Sequence, residues 1–213
     1  DELNGEKLVV KSKSNVTKEI KLVDNLSKNG IEVVETDIGD RIIQILNETP
    51  SHPTGPASHL SSTLIADKLS DHFGKHIEPK AEVIIETVRR EITNYVEKAN
   101  IGISGANAVT REGAVVLLHN EGNIFEVINR PKKWIIVAGI DKIYPSIEDA
   151  INAAKIQSFY ATGALTPSFI EIISGISKTA DIEKKLFKGV GNPKEVVLIM
   201  LDNKRRELIE NGF

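Results

Sequence analysis

Trp134-Ile135-Ile136-Val137-Ala138 is five apolar residues in a row, bounded by two lysines and a glycine. A strand with one wet face alternates apolar and polar side chains, whereas an unbroken run of this length belongs to a strand covered on both faces. Short runs of similar character recur at Leu8–Val10, Ile31–Thr36, Asn100–Ser104, Ala114–Leu118, Phe169–Ser174 and Val196–Leu201. Helical spacing fills the segments between them. Ile20, Leu22, Val23 and Leu26 form one face, and Ile42, Ile43, Ile45 and Leu46 another, beginning near Gly39-Asp40. Further helices are predicted over about 57–72, 80–98, 146–157 and 179–188, with a last one from Asn203. Strands punctuated by helices predict the α/β class, with a mainly parallel sheet and helices on both of its faces. Residues 1–213 read as one domain, without internal repeat or low-complexity segment.

Composition narrows the function classes. A chain of 213 residues can bury roughly 70% of the surface it exposes when unfolded, enough for a core without covalent staples. Cysteine is absent, which removes disulfides, thiolate metal ligands and a cysteine nucleophile from this chain. Lys and Arg number 27 against 30 Asp and Glu, a net charge of -3 that leaves no footprint for nucleic acid. No apolar run approaches the ~20 residues of a membrane span, and no secretory signal opens the chain, so a cytoplasmic protein without a membrane partner is expected. The sole methionine is Met200, which predicts a domain cut from a longer chain.

In parallel sheets ligands collect at the carboxyl ends of strands. Four segments fit that position: Lys11–Ser14, Glu35-Thr36-Asp37, Gly102–Asn107 and Ser174–Asp181. Lys11 and Lys13, with Ser12 between them, offer cations to a carboxylate or phosphate, or else form a solvated edge. Ile101-Gly-Ile-Ser-Gly-Ala-Asn107 places Ser104, Gly105 and Asn107 either in a backbone nest for an anion or in a tight strand exit. It lacks the third glycine of a dinucleotide fingerprint. Asn120-Glu121-Gly122-Asn123 is a dense polar cluster after an apolar strand. Glu121 can orient a hydroxyl, act as base or form an acyl intermediate, or the cluster is a self-capping turn. Ser177 and Thr179 are candidate helix caps at a second anion site. His72 and His76 are four apart but interrupted by Gly74, and His52 and His59 flank the loop Pro50–Pro56 without further ligands, so no metal is predicted. His119 adjoins the Asn-Glu-Gly-Asn cluster. No nucleophile elbow, P-loop or His-Glu-x-x-His occurs.

In order along the chain, Val10–Ser14, Val34–Gly39, Pro50-Ser-His52, Pro56–His59, Ile101–Asn107, Glu112-Gly113, Asn120–Asn123 and Thr179–Glu183 resemble the LUD domain of the lactate-utilisation proteins B and C. The resemblance covers nearly the whole chain. One departure is Gly175-Ile176-Ser177, where relatives often have Gly-Pro-Ser. The resemblance implies a Rossmann-like sheet similar to the sugar-phosphate isomerase and CoA-transferase superfamily. It also implies a part in oxidising L-lactate or a related 2-hydroxy acid within an iron–sulfur-linked complex, whose other subunits and a small organic acid would be the partners. The Lys-Ser-Lys-Ser and Glu-Thr-Asp-Ile-Gly segments look B-type, which implies [4Fe–4S] clusters in a segment after Phe213 and no cofactor within this chain.

On that reading Glu121 is the catalytic residue. The substrate is bound by Lys11, Ser12, Lys13, Glu35, Asp37, Ser104, Gly105, Asn107, Asn120, Gly122, Asn123, Ser177 and Thr179. Two alternatives stand beside it. One is a stand-alone transferase or isomerase using Glu121 on an acyl-CoA or a sugar phosphate; the other is a partner-docking domain without a ligand.

Overall fold

A computed structural model describes residues 2–212. Five strands form a parallel sheet in the order β11-β6-β3-β1-β2: β1 (Leu8–Lys11), β2 (Glu32–Glu35), β3 (Ile101–Ser104), β6 (Lys133–Gly139) and β11 (Glu195–Leu201). The apolar run at Trp134–Ala138 lies within β6, and all seven residues of that strand are buried. Alternation along the strands sends Val10 and Val34 to one face and Val9, Val33, Ile101, Ile103 and Ile135 to the other. The first face packs under α3 (Ile38–Leu46), α4 (Ser62–Phe73) and α5 (Ala81–Lys98), where Ile84, Val88, Ile92 and Val96 recur at helical spacing. The second packs under α1 (Asn15–Glu19) and α2 (Leu22–Lys28). The α/β class and the mainly parallel sheet are therefore as expected.

Strand β2 lies at the edge of that sheet, and a side chain completes its pairing. The Gln44 amide donates to the Val33 carbonyl at 2.6 Å and accepts from the Glu35 N–H at 3.1 Å, covering backbone groups that an edge strand would leave unpaired. Arg41 holds Gln44 at 2.6 Å and makes a forked pair with Glu91 of α5.

Two of the expected strands belong elsewhere. Ala114–Leu118 becomes β5 (Val115–His119) and Phe169–Ser174 becomes β8 (Phe169–Ile173). They pair antiparallel to each other in a second sheet of order β7-β4-β5-β8, with β4 (Ala108–Thr110) and β7 (Ile143–Tyr144). An apolar run does not tell which sheet it joins. This second sheet rests on α7 (Ile147–Thr162) through Ala108, Val116, Ala150 and Ala154, and meets β6 through Val115, Leu117, Trp134 and Ile136.

The helix expected over 179–188 is absent. That segment is a two-stranded ribbon of β9 (Lys178–Thr179) and β10 (Phe187–Lys188). Thr179 donates its hydroxyl to the Asp181 carboxylate at 2.7 Å, a local side-chain contact that competes with helix formation. Glu183 and Lys184 then turn through φ of 51° and 55°. The first expected helix is split into α1 and α2 by Lys21 at φ 50°. The Asn120–Asn123 cluster leads into α6 (Asn123–Asn129), a helix the sequence reading did not include, and α8 (Arg205–Glu210) is the last helix of the described chain.

Candidate functional site

The carboxyl ends of β1 and β2 meet the amino ends of α3 and α6 and the exposed side of α5. They enclose two adjoining hollows of about 300 Å³ and about 400 Å³. Ile38, Arg89 and Glu121 line both, so these three residues mark the junction.

Local chemistry explains how each wall is built. Asp37 caps α3, its Oδ1 accepting the Asp40 N–H at 3.2 Å, which sets Ile38 and Gly39 at the cleft. Gly39 cannot carry a side chain there without meeting the ring of Pro56, so the loop 50–58 closes down on the start of α3. Gly122 enters α6 at φ 78°, a left-handed conformation that glycine adopts freely and that turns Glu121 out of the strand direction. Asn123 then ties α6 to β2, donating its amide to the Thr36 carbonyl at 3.3 Å. Against the sheet α6 sits so close that a Cβ on Gly102 would run into the Val127 carbonyl oxygen.

Charge is concentrated beneath this cleft. Lys11 is fully buried, its ammonium 2.9 Å from Glu35 Oε2 and 3.0 Å from the Ser12 carbonyl. Burial pushes the Glu35 carboxyl up and Lys11 opposes the rise. Lys13 lies 2.9 Å from Asp37 Oδ2 and 3.8 Å from Asp40 Oδ2, and also donates to the Thr54 carbonyl of the overlying loop at 3.2 Å. Lys18 takes the other Asp40 oxygen at 2.7 Å. Arg89, on the exposed side of α5, makes no ion pair among the described residues. Glu121 lines the same two hollows and is exposed. Loss of water on its protein side and the nearby Asp37 charge raise its carboxyl above the ordinary glutamate value, against the pull of Lys13 and Arg89. A carboxyl held above its usual range beside an unpaired guanidinium can bind an anion and exchange a proton with it.

The expected site residues separate into four groups. Lys13, Asp37, Glu121, Gly122 and Asn123 line the cleft. Lys11, Ser12, Glu35, Ser104 and Gly105 do not line it. Ser104 accepts the Trp134 indole N–H at 2.9 Å, Gly105 abuts Ser14, and the Ser12 hydroxyl is buried without a partner among the described residues. The Lys11 ammonium is engaged by Glu35 and by the Ser12 carbonyl. Asn107 and Asn120 organise the second sheet: Asn107 accepts the Leu118 N–H at 2.9 Å and bonds Gln157, while Asn120 accepts the Ser168 N–H at 2.9 Å.

Ser177 and Thr179 are remote from the cleft. The ribbon that carries them follows the antiparallel strand β8 and leads into the start of β11, at the amino end of the parallel sheet. Gly191 donates to the Ser177 hydroxyl at 2.9 Å there. They cap no helix, contrary to expectation, because no helix forms. Arg89 was missed by sequence reasoning. Its only available signal was a cation on the polar side of an amphipathic helix, which an ordinary solvated surface also explains.

Comparison with known proteins adds a further finding. The sequence profile of the LUD domain matches residues 1–201. "Lactate utilization protein B" of Bacillus cytotoxicus is 33% identical over 97% of this chain and 42% of its own length. The protein of the same name from Lysinibacillus sphaericus is 33% identical over 96% of this chain and, again, 42% of its own. The chain thus spans well under half the length of the curated relatives it matches. A crystal structure of a DUF162 family protein from Deinococcus radiodurans superposes with a TM-score of 0.33 at 15% identity, over 51% of this chain and 57% of that one.

Proposed function

The chain belongs to the LUD domain family, and on that footing we propose that it serves lactate utilisation by holding L-lactate or a related 2-hydroxy acid in the cleft between Arg89 and Glu121. The observation that carries this reading is the pair itself. An unpaired guanidinium and a carboxyl of raised proton affinity face one hollow at the carboxyl ends of parallel strands. Arg89 supplies a forked donor for the substrate carboxylate. Glu121, in its charged form, accepts the hydrogen of the C2 hydroxyl, and its raised proton affinity brings it nearer the pH at which a general base is effective. Asn123 and Gly122 position Glu121, while Lys13 and Asp37 balance the charge below it.

Oxidation of a hydroxy acid also needs an electron acceptor. These 213 residues include no cysteine, so they do not fit thiolate ligation of an iron–sulfur cluster, and among the described residues no group of three or more His, Asp or Glu gathers as metal ligands. Electron transfer is assigned to [4Fe–4S] clusters in a segment after Phe213 and to other subunits of a lactate-utilisation system, and the role of the residues described here is to bind and orient. Among the described residues no helix is long and apolar enough to cross a membrane.

Calorimetric titration of the folded chain with L-lactate tests the reading. Saturable binding that weakens at least tenfold in Arg89→Ala, the scale of a lost charged hydrogen bond, supports it. Binding that is absent, or indifferent to Arg89, removes it.

A further inference from the structure

The hollow lined by Arg89 and Glu121 also carries apolar side chains. Ile38, Ile92 and Val96 form its wall, and Thr93 stands on the same helix beside them. At about 300 Å³ it falls in the range that encloses ligands several times the size of lactate, and the second hollow adjoins it. Its polar lining includes Arg89, Glu121, Asn123 and the Arg130–Glu126 pair at 3.0 Å. A hollow lined by both charged and apolar side chains suits an amphipathic acid rather than a uniformly polar one.

We propose that the preferred ligand is a 2-hydroxy acid with an aliphatic chain longer than that of lactate, its carboxylate at Arg89 and its chain against Ile38, Ile92 and Val96. This rests on the reading of the cleft as an organic-acid site and extends it to the substrate class. Each methylene buried along that wall raises affinity roughly threefold, so the gain accumulates until the hollow is filled. Thr93 is the residue through which the recess can be narrowed with least disturbance. It is exposed, and its hydroxyl only bonds back to the Arg89 carbonyl at 3.0 Å.

The test is a calorimetric series on the whole chain with L-lactate, 2-hydroxybutyrate, 2-hydroxyhexanoate and 2-hydroxyoctanoate, repeated on Thr93→Phe. Affinity rising about threefold per methylene at least as far as 2-hydroxyhexanoate, and a flattened series in Thr93→Phe, is the expected result. Trp134 fluorescence, from the single tryptophan of the chain, verifies that the variant is folded. Lactate binding with no dependence on chain length overturns the substrate class while leaving the organic-acid reading intact. A slope that survives in Thr93→Phe overturns the placement of the chain. No binding by any member overturns both.

Discussion

Asn123 donates its side-chain amide to the backbone carbonyl of Thr36 at 3.3 Å, joining the start of α6 to the end of β2 across 87 residues of sequence. The parallel sheet and the β5–α6 turn meet at this bond, and Glu121 lies two residues before the donor. The cleft therefore depends on a contact between elements that are distant in sequence. Asn123→Ala is expected to leave the fold intact at a cost of about 1 kcal/mol, while weakening L-lactate binding severalfold because Glu121 loses its register. Urea denaturation and calorimetry on the same variant separate the two effects.

Glu121→Gln has a pH-dependent signature. The folded-state carboxyl is raised above its ordinary value, so the native chain holds the proton more tightly than the unfolded one. The stability Glu121 contributes is full below the ordinary glutamate value and is lost as pH rises through the folded value. A neutral glutamine lacks that loss. Thermal unfolding is expected to coincide for the two proteins in acid and to favour the variant at neutral pH, by no more than about 2 °C for a group open to the cleft.

Lys11 and Glu35 are buried together, which makes them costly to separate. Lys11→Met strands a buried carboxylate and is expected to lower stability by about 3–5 kcal/mol. Replacing both, with Lys11→Met and Glu35→Leu, should recover most of the loss. Equilibrium unfolding of the single and double variants checks this, and a double variant no better than the single one would show the pair to be more than a structural tie.

Ser104→Ala leaves the indole N–H of Trp134 unpartnered in the core. The expected cost is about 1–3 kcal/mol, with a shifted emission from the only tryptophan. Gly102→Ala should be worse, about 3 kcal/mol or more, because its Cβ meets a backbone carbonyl of α6 that cannot turn aside. Loss of lactate binding in Gly102→Ala before loss of the fold would show that α6 moves first.

The residues that made the fold legible were those with two-sided burial. Val9 with Val10, Val33 with Val34 and the run from Trp134 to Ala138 can only be strands covered on both faces, and all are buried. Strand partners were not legible, because the runs at 115–119 and 169–173 have the same composition as those of the parallel sheet. The segment 179–188 misled for another reason. Ile182 and Leu186 have helical spacing, yet both are exposed, and no second apolar surface among the described contacts holds a helix there. At the site, Glu121 and Lys13 were visible as charged residues beside strand ends. Lys11 occupies the same sequence context as Lys13 but points at Glu35, a difference set by strand alternation and tertiary neighbours. Arg89 required the approach of α5 to the cleft, which no local pattern encodes.

The cleft is tested most directly by a titration of the isotopically labelled chain with L-lactate, following backbone amide resonances. Shifts confined to Thr36, Ile38, Gly122 and Asn123, with the ribbon residues Ser177 and Thr179 unmoved, are expected if the acid sits between Arg89 and Glu121. Shifts centred on the ribbon, or none at millimolar lactate, would contradict the placement of the ligand in this cleft.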